Sequence, residues 1–176
     1  MSSSSTWTTG RVLLLLGRLA LAAVFLYAAF AKLKPAVPGP FTLDSLRLSL
    51  SLFATQVDSY QLLPSSYVNF VAHTLPFFEL FLGLWLLSGW QLRFSSGLTS
   101  ALLLGFFGNT VRAYALGLEI NCGCFGPGEA LGAQTLIQEG SLLALSLAVT
   151  IGAFWSRRAR RESSAAIPSP APQKAE

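Results

Sequence analysis

Both cysteines of the chain fall in one short run, Cys122-Gly123-Cys124-Phe125-Gly126. Two thiols with a single residue between them can close a small, strained disulfide, and strained or exposed disulfides are the labile, exchange-competent kind. A bridge meant only to hold a fold together gains more by closing a long loop. Gly123 supplies backbone torsions that a close Cys-x-Cys bridge needs, and Gly126, Pro127 and Gly128 mark a tight loop. Three chemistries suit such a pair. A redox-active dithiol fits best. A zinc site wants four ligands, and with His73 the only histidine it would take two thiolates from each chain of a homodimer. Plain structural thiols are the third.

The polar residues nearest in sequence sharpen the redox reading. Asn109, Arg112 and Glu119 recur at spacings that put them on one face of a helix leading toward Asn121 and Cys122. Arg112 would lower a thiol pKa. Such a stripe could also relay protons or hold a quinone carbonyl, with His73 at similar depth on another helix. The plainer alternative is a hydrogen-bonded helix interior.

Electron counting narrows the role. One dithiol exchanges two electrons once, and the chain has no third cysteine. Turnover therefore needs a membrane quinone or two external protein partners, a soluble thioredoxin-like protein being the natural one through a mixed disulfide. The sequence establishes no cofactor and leaves the enzyme class open between a thiol–disulfide oxidoreductase and a non-catalytic assembly or scaffold subunit.

The elements that must position these groups are membrane helices. Of the 176 residues, 52% are hydrophobic and 11% charged, against roughly 25% charged in a soluble domain. So few ionic groups cannot cover a water-exposed surface. The net charge of +4 is no nucleic-acid signal, because Arg157, Arg158, Arg160 and Arg161 cluster just after an apolar stretch, as topology determinants do. Four stretches approach the about 20 apolar residues of a span: 12–31, 67–88, 92–118 and 134–155. The expectation is an all-α, polytopic four-helix bundle. The first stretch reads as an uncleaved helix, being longer than a signal-peptide core and interrupted by Arg18.

The arginine cluster puts both termini in the cytoplasm and the cysteine loop outside, on the periplasmic face of a bacterial inner membrane, where disulfides persist. Arg11 and Arg93 agree with this orientation. Lys32, Lys34 and Arg47 oppose it. Between the first two spans, Leu43, Leu46, Leu50, Phe53, Val57 and Tyr60 recur at spacings of 3 and 4. They predict an amphipathic helix on the outer membrane surface or capping the bundle. Residues 1–10 read as a tail, 11–156 as the membrane domain, and 157–176 as a basic flank with a disordered tail. Depths at about 1.5 Å per residue pair Arg18 with Glu79 as a structural ion pair between the first two spans.

YAAFAKLKP, YQLLP, LPFFELFLGLWLLSG and NCGCFG, in that order, resemble the MauE/DoxX-like family of small four-helix membrane proteins over about 11–155. The chain departs from the expected pattern in having AAFAK where a glycine would precede Lys32. The resemblance implies a redox-associated membrane protein with Cys122 and Cys124 as the family thiols and Glu79 as its intramembrane acid. For the methylamine-utilisation members it implies work with a thioredoxin-like periplasmic partner in maturing another protein. For DoxX-like relatives it implies quinone-linked oxidation.

Overall fold

The computed structural model describes residues 3–35, 39–118, 120–121 and 130–165, and their side chains from Gly10 to Ser156. The described residues form five helices: α1 (Ser3–Leu33), α2 (Leu43–Ser59), α3 (Ser65–Ser88), α4 (Leu92–Ala115) and α5 (Ala133–Ala165). The only strand-type pairing among the described residues is an isolated bridge between Asn121 and Ala130. The expected terminal tails are shorter than anticipated, since helix begins at Ser3 and continues to Ala165. No proline interrupts either extension before Pro168.

Among the described residues, three helices are long and apolar enough to cross a bilayer: Gly10–Leu33, Ser65–Ser88 and Ala133–Ser156. The expected fourth span is α4. It has 24 residues, enough in length, but its composition is diluted by serine, threonine, glycine and two arginines. Those polar residues have a location. Ser95, Ser96, Thr99, Ser100 and Thr110 are buried, while Phe94, Leu98, Leu104 and Val111 are exposed. Within this row Ser100 faces α5 and Thr110 lines a cavity. Ser100 Oγ meets Ser146 Oγ and Thr150 Oγ1, each at 3.1 Å. Most of the remaining hydroxyls bond backbone carbonyls one turn back, as Thr99 does to Ser95. Small hydroxyl side chains let two backbones approach and still satisfy every donor, which is how helices associate where lipid removes the usual hydrophobic drive.

The long helices pack as two pairs, α1 with α3 and α4 with α5, joined chiefly where α1 meets α5. Both joints rest on glycines. At Gly83 of α3 a Cβ would stand 2.9 Å from the Leu26 side chain of α1. At Gly17 of α1 it would stand 2.7 Å from Val149 of α5. Around these close approaches Leu21, Phe25, Leu82, Leu86, Leu103 and Val149 form the main core. Large apolar side chains also cover the outside, among them Leu13, Leu16, Phe30, Phe70, Phe81, Ile137 and Phe154. An apolar outer surface on an apolar core suits a lipid solvent.

The amphipathic helix is α2. Thr42 and Ser45 form a reciprocal cap: Ser45 N–H donates to Thr42 Oγ1 at 3.2 Å, and Thr42 N–H donates to Ser45 Oγ at 3.0 Å. Leu50, Phe53 and Tyr60 are buried and Leu46 and Val57 half-buried, so the predicted stripe faces inward from Leu46 onward. Leu43, at the helix start, is exposed instead. Phe53 and Ala54 pack on Val68 and Ala72 of α3.

Candidate functional site

The strongest electrostatic feature of the interior joins α1 to α3. Lys32 Nζ donates to both carboxylate oxygens of Glu79, each at 2.9 Å. Their side chains are 4% and 2% exposed. The Phe53 ring of α2 lies 5.4 Å from the same ammonium, within cation–π range. This corrects the expected Arg18–Glu79 pair. Arg18 instead points at the turn after α3, where its guanidinium occupies the space a side chain at Gly89 would need. Gly89 has φ +67 and closes α3 in the left-handed conformation. Glu79 therefore meets a cation fourteen residues further along α1 than expected, roughly 21 Å. Depth counted from span ends ignores what sets register. Here that is the close approach at Gly83 and the requirement that two buried charges meet.

By sequence position Lys32 reads as a loop charge. One signal could have placed it inside: it continues the buried series Leu21, Phe25, Ala28 at spacings of 4, 3 and 4. The same series shows why a lysine there must be paired.

Beside this pair the helices converge, with α2 packed on α3 and α1. They leave a cavity of about 390 Å³ with a largely apolar lining. Its polar contributions are Lys32, Gln56, Glu79, Asn109, Thr110 and Glu139. Asn109 Oδ1 is buried and has no hydrogen-bond partner. Ala101 and Gly105 of α4 line the cavity and are exposed, so it reaches the outer surface beside them. At Gly105 no atom lies within 4 Å of where a Cβ would stand.

Arg112 ties α4 to the cap. Its guanidinium donates to the Tyr60 carbonyl at the end of α2, at 3.2 Å. Arg112 is exposed, not enclosed in the bundle. Asn109 lies one turn before it and turns toward the cavity. The structure thus brings Arg112 to α2 and Asn109 to the cavity. His73 does not join them. It is exposed on α3, and its Nδ1–H donates to the Asn69 carbonyl one turn back at 2.8 Å. A histidine on this face points away from the cavity lined by Val71, Leu75 and Glu79 of the same helix.

After α4, Gly117 has φ +67 and turns the chain. Asn121 then bridges Ala130, and Leu131 N–H donates to the Ile120 carbonyl at 2.9 Å. The two flanks of the cysteine segment are thereby held side by side between the end of α4 and the start of α5. Cys122, Gly123, Cys124 and Glu119 themselves lie outside the described residues.

No curated protein and no solved structure matches the chain. The model of the family described as methylamine utilisation protein MauE matches residues 10–153, most of its length, and the chain belongs to that family.

Proposed function

We propose that this is a multi-pass membrane protein whose Cys122–Cys124 pair exchanges disulfides with a thioredoxin-like protein outside the cytoplasm. It would thereby support maturation or electron supply of another protein, in methylamine-utilising metabolism as the family description suggests. The observation that carries this proposal is the pairing of Asn121 with Ala130. It anchors both ends of the cysteine segment at one end of the helix bundle, so a dithiol there has a fixed base from which to meet a partner. Cys122 and Cys124 exchange. Gly123 gives the turn its freedom. Arg112 and Glu119 bias the thiols electrostatically.

In this proposal α4 is the fourth span. Its polar row is buried and its apolar row meets lipid, as for the other three long helices. The termini are cytoplasmic and the cysteine segment periplasmic. The burial of Lys32 against Glu79 supports that orientation, because Lys32 then ceases to be a loop charge opposing it.

Thiol trapping in intact cells tests the proposal. A membrane-impermeant maleimide is applied before and after mild reduction to the wild type and to Cys122→Ser and Cys124→Ser. The expected result is labelling only after reduction, with one single variant accumulating a mixed disulfide to a second protein. Thiols that stay free throughout would remove the redox role, and labelling only after lysis would remove the external placement.

A further inference from the structure

We infer that the turn joining α3 to α4 holds the phosphate of an anionic phospholipid, with Arg18 and Arg93 as its donors. This turn lies at the end of the bundle opposite the cysteine segment, the length of α4 away, or roughly 36 Å. Lipid binding here is independent of the thiol chemistry.

Arg18 reaches the turn from α1, and its guanidinium sits against Gly89. Arg93 belongs to the first turn of α4, and its guanidinium lies over the Phe154 ring of α5, 4.1 Å from the centroid. At most about 15 Å of chain separates Gly89 from Arg93. Both arginines are half-buried. The Nε of each is buried and has no hydrogen-bond partner. Neither side chain enters an ion pair among the described residues. A guanidinium stays charged and carries five donors, which are costly to leave unmet away from water. Two such groups at one turn call for an acceptor of opposite charge.

The described residues offer no carboxylate for the task. Neither aspartate nor glutamate occurs in residues 1–43, 80–118 or 140–161. Glu79 lies ten residues before Gly89 on α3, roughly 15 Å away, and it is engaged by Lys32. Further arginines gather at this end instead: Arg11 near the start of α1, and Arg157, Arg158, Arg160 and Arg161 near the end of α5. Basic groups between membrane helices are the usual seat of an anionic lipid head.

Lipid is the source of the anion. All four tryptophans of the chain, Trp7, Trp85, Trp90 and Trp155, fall at this end. Trp90 and Trp155 are 71% and 73% exposed, as in the aromatic belt of a bilayer interface. Leu15 of α1, Leu87 of α3 and Phe94 of α4 are exposed close by in sequence to Arg18, Gly89 and Arg93, and give acyl chains an apolar surface. A phosphodiester at this depth suits the planar guanidinium, which can give it two parallel hydrogen bonds. Charge then selects among lipids. A zwitterionic head brings its own cation among the arginines, whereas phosphatidylglycerol brings none.

The test titrates full-length protein in detergent with dioleoylphosphatidylglycerol or dioleoylphosphatidylcholine and counts bound lipid by native mass spectrometry. Wild type should bind the anionic lipid about tenfold more tightly. The double variant Arg18→Gln, Arg93→Gln should bring that preference below about twofold. Arg93→Gln alone leaves the Arg18–Gly89 contact in place and should lower the preference about threefold, which decides the matter even where Arg18→Gln does not fold. Arg47→Gln removes an exposed arginine at the other end of the bundle and should change nothing. Replacing Arg157, Arg158, Arg160 and Arg161 with glutamine should keep most of the preference. A preference undiminished in Arg93→Gln would overturn the inference. So would its complete loss on replacing the four α5 arginines, which would mark diffuse attraction to a basic flank. Displacement of the lipid by an equal concentration of inorganic phosphate would overturn the assignment to lipid.

Discussion

Lys32 and Glu79 are each intelligible only through the other. Removing one partner leaves a charge in an apolar interior, at a cost of about 3–5 kcal/mol. Lys32→Met or Glu79→Leu alone should therefore sharply reduce folded yield and thermal stability in detergent. The double variant Lys32→Met, Glu79→Leu should recover most of the loss, since an apolar pair of similar volume needs no compensation. Thermal aggregation curves of the four proteins check this, and a double variant no better than the singles would show that the pair does more than neutralise itself. Arg112 makes a different prediction. If its charge biases the thiols, Arg112→Gln should shift the pH profile of thiol alkylation toward higher pH while far-ultraviolet circular dichroism stays unchanged. If its role is confined to holding the Tyr60 carbonyl, the profile will stay and only stability will fall, by about 1 kcal/mol. His73 was a candidate by depth, but depth does not say which way a residue faces. Its exposed position and local bond to Asn69 make His73→Ala a neutral change for folding and for thiol reactivity alike.

The α4–α5 joint depends on small side chains. Ser146 is fully buried opposite Ser100. Ser146→Leu should force the pair apart and cost about 1–3 kcal/mol by overpacking, read as a lower midpoint of thermal unfolding. Ser146→Ala removes one hydroxyl contact in a membrane-type interface and should cost less than about 1 kcal/mol. Gly83 carries the same logic between α1 and α3, where even an alanine Cβ meets Leu26 at 2.9 Å. The contrast between α2 and α4 shows what periodicity can convey. The α2 stripe was legible because apolar residues at spacings of 3 and 4 stand out against serine and charge. The partner surface of α4 was not, since serine, threonine and glycine carry no hydropathy contrast, and their small size matters only once a second backbone lies within reach.

At the scale of the whole molecule, two helix pairs meet chiefly where α1 packs on α5, and α2 packs on α3 and α1 beside the cavity. That arrangement produces both the buried ion pair and the cavity, from residues on all five helices. The sequence by itself determined the solvent, the helical class, the amphipathic α2 and the segment where thiol chemistry can occur. Each of these follows from local composition or from a single periodic stripe, and needs no knowledge of neighbours. The tertiary structure alone decided which cation meets Glu79, that His73 faces outward, and that a cavity exists. These depend on the register between helices, and register is set by where glycines permit close approach and where buried charges must meet. Neither can be computed from span ends. A sequence shows which faces are apolar; only packing shows which faces touch, and at what height.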